Sequence, residues 1–236
     1  MVKQHYKPVE KAKSCGVFHD SLLIYGNRMI SEKILKNLHN DIQIYDKKNG
    51  KDYLIVCSKG KNDKLKCCQI TYNHFNFWHL LGCKIESENH LATYEACKAK
   101  EDVAVDISLV HSYAEAEVKH IVFEKVFDFV TNAKLIKVGY IGNCPEQFYL
   151  TMSMGNEVGF VGYDYPRDGN KNYLIPKSVQ SKKISSVASN LNKILFIVSK
   201  QQNQDAYTNV EYEIKKGIMS EHLSEIPENI KIGISG

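Results

Sequence analysis

Six short β-rich runs crowd the chain after Asn132: KLIKVGYIG (134–142), QFYLTMSM (147–154), EVGFVGYDY (157–165), KNYLIP (171–176), KILFIVSK (193–200) and NVEYEI (209–214). A parallel pair needs a crossover of about a dozen residues or more. Apart from 177–190, which has room for a helix or a long loop, the connections here are too short for one. The second half of the chain is therefore expected to be an antiparallel sheet.

The first half carries the opposite texture. In SEKILKNLHN (31–40), Ile34, Leu35 and Leu38 recur at helical spacing behind a serine suited to capping. DIQIYDKKNGKDYLIVCSKG and KLKCCQITYN then read as strands, punctuated by Asn49-Gly50 and by 60–64, and are expected to pair as a hairpin or small meander. Asn73 is placed to cap a short helix, HFNFWHLL, with Gly82 as its stop. On that helix His79 falls at the margin of the apolar arc beside Asn76, where it could face a cleft. Leu91–Lys100 and Val110–Val130 predict two more helices, the second with Val118, Ile121, Val122, Val126, Phe129 and Val130 on its apolar stripe.

Helices followed by a sheet make an α+β fold. The expected organisation is an N-terminal helical extension over 1–44, one α+β domain over 45–216 and a loosely attached tail over 217–236.

Several function classes drop out. No window approaches the roughly 18–20 apolar residues of a membrane span, and the opening MVKQHYKPVEKAKSC lacks the apolar block of a secretory signal. A cytoplasmic protein with no membrane partner is expected. Seven cysteines, an odd set without a CxxC pair, predict reduced and mostly buried thiols rather than a disulfide framework or zinc ribbon. His111 and His120 lie in or near the acidic stretch 101–130 without a suitable carboxylate spacing, and HxxxH and HExxH are missing, so no metal is expected. With neither GxxxxGK[ST] nor GxGxxG after a strand, no nucleotide cofactor is expected either.

The net charge of +4 decides little, but its distribution is uneven. Seven lysines against two aspartates fall between Lys47 and Ile70, and six lysines with no acidic residue between Gly169 and Gln204. If both stretches share a face, that face attracts a polyanion such as RNA or DNA.

The order of elements and four strings, ITYNHFNFWHLLGCKI (70–85), QFYLTMSM (147–154), YLIPKSV (173–179) and ILFIVSK (194–200), resemble the phage BECR-fold families, named for barnase, EndoU, colicin E5/D and RelE. The resemblance covers about 45–216. It implies a helix-plus-antiparallel-sheet domain of a phage or mobile element that cleaves RNA without a metal cofactor.

Such cleavage needs a base for the 2′-hydroxyl proton, an acid for the leaving 5′-oxygen and a cation for the crowded phosphorane. His79 is the first candidate, since imidazole titrates near neutrality. Lys177 and Ser178, after Pro176 at a strand end, are expected at a sheet rim where they could hold and position a phosphate, with Lys200 beside Ser199 at a second rim. Lys182 and Lys183 extend the basic stretch, and Tyr149, Tyr163, Tyr173 and Tyr207 on the predicted strands could stack bases. RNA is the expected partner of this reading. Two other readings stay open: a degenerate module that grips RNA or a host or immunity protein without cutting, and an inhibitor of bacterial defence acting through 101–130.

Overall fold

The computed structural model describes residues 30–58, 65–140, 150–167, 169–188 and 190–234. Its first helix, α1 (Glu32–Asp46), starts where expected: the Ser31 side chain accepts the Ile34 N–H and Glu32 complements the first turn. It then runs on through DIQIY, which the strand reading misassigned. Asp41, Ile42 and Tyr45 are all buried at helical spacing, so the local alternation yields to packing. Gly50, at φ +74°, turns the chain from that helix into β1 (Lys51–Cys57). β1 pairs antiparallel with β2 (Lys66–Thr71), Leu54 opposite Gln69.

Next comes α2 (Phe75–Leu80). Asn73 does not cap it through its side chain; its backbone carbonyl accepts the Asn76 N–H at 3.1 Å. Gly82 ends the turn as expected, at φ +73°. β3 (Cys83–Ile85) and β4 (Ile107–Leu109) form a small ribbon around α3 (His90–Lys98).

The long helix is shorter and rotated relative to expectation. α4 (Tyr113–Val126) is capped by Ser112 and buries Ala116, Lys119, His120, Val122, Phe123 and Val126. Val118 and Ile121, read as core, are 41% and 55% exposed. The reason is a polar pair: His120 Nδ1 meets Asp41 of α1 in the interior and turns that side of the helix inward.

The sheet continues with β5 (Lys137–Tyr140), β6 (Met152–Gly155), β7 (Phe160–Asp164), β8 (Ile175–Gln180), β9 (Leu191–Gln201) and β10 (Asn209–Glu213). Its order is β2-β1-β9-β5-β6-β7-β8, with β10 added on β9, and its strand pairs are antiparallel. The α+β class and the BECR-like layout thus hold. The sheet curls until its ends meet: the Thr71 N–H donates to the Leu174 carbonyl at 2.9 Å and the Leu174 N–H to the Gln69 carbonyl at 2.8 Å. Pro176, expected to end a strand, is the second residue of β8. The segment 177–190 holds the rest of that strand and a short 3-10 turn (Ile184–Ser186) rather than a helix.

Strand alternation divides the apolar residues between two faces. Tyr53, Ile55 and Cys57 of β1 join a large core under the helices, while Leu54 and Val56 join Phe196, Val198 and Tyr207 in a smaller core on the other side. The smaller core is closed by Met219 of α5 (Ile218–His222) and by Ile226. Among the described residues after 216 the chain is thus attached through Met219, Ile226 and the Tyr207 N–H bonded to the Lys231 carbonyl at 2.9 Å, where a loose tail was expected. The described cysteines, Cys57, Cys67, Cys68, Cys83 and Cys97, are free thiols, all buried except the half-buried Cys67; Cys15 and Cys144 lie outside the described residues. Among the described residues no helix is long and apolar enough to cross a membrane.

Candidate active site

α2 packs against β8, and α4 lies against the same strand. Residues 77, 78 and 80 of α2 are apolar and buried, which leaves His79 on the open side of the short helix. Its pKa is lowered, first by partial burial of the imidazole and then by the charges of Lys119, Lys177 and Arg167, to which His111 adds when protonated. The imidazole is therefore favoured in its neutral, proton-accepting form within a cationic nest.

Lys177 lies at an irregularity of the sheet, on the strand against which α2 packs. Gly162 pairs with Ser178 and Tyr163 with Pro176, so Lys177 has no partner on β7 and is the extra residue of a β-bulge. A bulge bends its strand and re-aims a side chain, and such sites recur beside active centres. Burial is the first cause lowering the Lys177 pKa; Asp164 opposes it and Arg167 adds to it.

Lys119 is a buried lysine, its ammonium 3.9 Å from Glu115. Burial lowers its pKa, against the pull of Glu115. A Cβ placed on Gly82 would lie 3.6 Å from the Lys119 Nζ and 3.4 Å from the His111 ring, so the helix stop, Lys119 and His111 share one small space. Glu115 also approaches His111 Nδ1 at 3.8 Å.

The other predicted site residues are distributed differently. Ser178 is next to the bulge, but its hydroxyl accepts from Gln180 Nε2 at 2.6 Å. Lys200 does not join the site. It shares a sheet face with Phe196 and Val198, away from α2, is only 7% exposed, and donates to the Gln204 carbonyl at 2.7 Å with Asp52 at 3.5 Å. Tyr163 and Tyr207 are interior residues whose hydroxyls bond Tyr72 and Gln69, so neither offers a ring face to a base. Tyr173 is half-buried, Lys182 is exposed, and Lys183 pairs with Glu157 at 3.3 Å on the surface. Tyr149 lies outside the described residues. Lys48 and Lys200 are lost to any shared basic face, because they are buried against Asp128 and Asp52, while Lys59, Lys61 and Lys64 lie outside the described residues.

Lys119, His111 and Arg167 were missed. Arg167 had a signal: it is one of only two arginines in a lysine-rich chain, and a guanidinium is the better fork for a phosphate. Among the described residues no group of three His, Cys, Asp or Glu side chains is arranged to hold a metal ion.

An imidazole among cations on a helix facing a bulged strand of an antiparallel sheet suits phosphodiester chemistry. The model of the phage-Barnase-EndoU-ColicinE5/D-RelE like nuclease4 family matches residues 37–216. The chain belongs to that family. The match takes in α1 from its second turn, all of α2 to α4 and the whole sheet, so the family's nuclease domain includes every residue of the site. Neither the curated proteins nor the solved structures yield a match.

Proposed function

We propose that this member of the family is an endoribonuclease of a phage or mobile element, cutting RNA by acid/base chemistry at the junction of α2, α4 and β8. The observation that carries the reading is His79 on the open side of α2, a helix packed against β8 with its bulged Lys177, where the charges of Lys119, Lys177 and Arg167 hold the imidazole toward its neutral form. Neutral His79 takes the proton of a ribose 2′-hydroxyl. The freed 2′-oxygen attacks the adjacent phosphorus, and the three cations stabilise the added negative charge. The P–O5′ bond breaks and His111, held beside Glu115, protonates the leaving oxygen, giving a 2′,3′-cyclic phosphate and a 5′-hydroxyl.

The test incubates labelled RNA with the protein in EDTA, alongside His79→Ala, Lys177→Ala and Lys200→Met variants. The expected result is cleavage by the wild type and by the Lys200 variant, loss of about 100-fold or more with either of the others, and no cut where the scissile 2′-hydroxyl is replaced by hydrogen. Cleavage indifferent to His79 or to the 2′-hydroxyl would refute the mechanism. RNA binding without any cut would favour the inactive-module reading.

A further inference from the structure

Phe75 opens α2 and is 60% exposed. Single exposed apolar residues are ordinary on protein surfaces; the surroundings set this one apart. The His74 ring lies 3.9 Å from it, centroid to centroid, and the His90 ring of α3 lies 6.0 Å away, so Phe75 belongs to a three-ring aromatic wall. It lies four positions before His79, which puts the two on neighbouring lines of the same open helix face, about 6 Å apart along the axis. The buried residues Phe77, Trp78 and Leu80 occupy the opposite side. Meanwhile the sheet tyrosines that composition offered as stacking surfaces, Tyr163 and Tyr207, are sealed in the interior.

We infer that Phe75, flanked by His90, is the platform on which an unpaired RNA base stacks beside the phosphate held at His79, an inference that rests on the ribonuclease reading of that site. The chemistry is complementary in both parts. The cations Lys119, Lys177 and Arg167 fit the backbone charge, and one helical turn away an open ring fits a base π-face. Bases within a duplex are stacked on one another and have no face to give, so the platform selects single-stranded RNA.

The test measures binding by fluorescence anisotropy in the His79→Ala protein, which does not consume its ligand, with one oligoribonucleotide presented single-stranded or as a duplex. Phe75→Ala is expected to weaken single-strand binding about tenfold and leave duplex binding unchanged. Phe75→Trp is expected to restore the affinity, with tryptophan emission quenched as RNA is added. The unfolding midpoint of each variant is measured alongside and is expected to stay within a degree or so of its parent, since the ring is largely in solvent. Equal binding with and without Phe75, an equal loss on duplex and single strand, or no rescue by tryptophan would overturn the platform. In the active protein, a raised KM with kcat little changed supports it, and an unchanged KM overturns it. Phe75-dependent binding by a wild type that never cuts RNA would remove the ribonuclease reading and leave the platform standing.

Discussion

The polar contact between Asp41 of α1 and His120 of α4 offers the sharpest test of how the helical layer is held. Asp41 is 1% exposed and His120 3%, and each is the other's partner across the interface. His120 Nε2 has no partner among the described residues, so the ring is anchored through Nδ1 alone. Burial raises the Asp41 pKa, and His120 is the main influence pulling it back down. Removing one member of a buried pair costs about 3–5 kcal/mol, because the survivor stays desolvated without compensation. For a chain of this size each kcal/mol moves the melting temperature by about 2–4 °C, so His120→Ala should lose roughly 6–20 °C.

The same variant should show an altered pH dependence. A carboxyl whose folded pKa lies above its unfolded value binds more protons when folded, so its contribution to stability falls as pH rises from the ordinary value through the raised one. Without His120 the Asp41 pKa rises further, and the deficit of the variant is expected to be smaller at mildly acidic pH than at neutral pH. Urea unfolding at both pH values, on Asp41→Leu, His120→Ala and the double variant Asp41→Leu/His120→Ala, measures the coupling. The double variant should be more stable than His120→Ala alone. A loss below about 1 kcal/mol for His120→Ala, or strictly additive losses, would refute the account.

Four further outcomes are expected. The acidic limb of the pH–kcat/KM profile should fall below the ordinary histidine value near 6.5, because burial and cations depress His79; Lys119→Met should move it upward, whereas an unmoved limb would place the base elsewhere. By the same shift, stability from His79 is complete above its ordinary pKa and is lost as pH falls toward the depressed one, so His79→Gln should flatten the acid side of a stability–pH curve. Lys200→Met should destabilise by about 3–5 kcal/mol by stranding buried Asp52, with the cleavage rate below the melting transition unchanged. Truncation after Lys216 strips Met219 and Ile226 from the smaller core, about 1.5–3 kcal/mol each, and should raise the binding of an apolar dye by baring Leu54, Val56, Phe196 and Val198.

What could be read from the residues follows the range of the interaction involved. The Ser31 cap, the Gly82 stop and the strands around Val161 and Ile197 rest on near neighbours, and all were legible. The rotated face of α4 was not, since it depends on a partner 79 residues away, and a hydropathy stripe takes no account of a buried Lys119 or His120. The strand assigned to DIQIY failed similarly: alternation over five residues cannot compete with a helix whose inner face is completed by remote residues. In the site, His79 was accessible because a short amphipathic helix has only one open side. The bulge at Lys177 exists only against the register of β7, and the exclusion of Lys200 only against the alternation of β9 with two different cores beneath it.

The curled sheet has a consequence for synthesis. β1 lies between β2, its hairpin neighbour, and β9, which leaves the ribosome nearly one hundred and fifty residues later. Until then, the imidazole on α2 has neither its lysine from β8 nor a closed layer to hold the two together. A chain interrupted anywhere before Leu174 accordingly lacks the closed sheet, and the candidate site is assembled only when translation of the domain is almost finished.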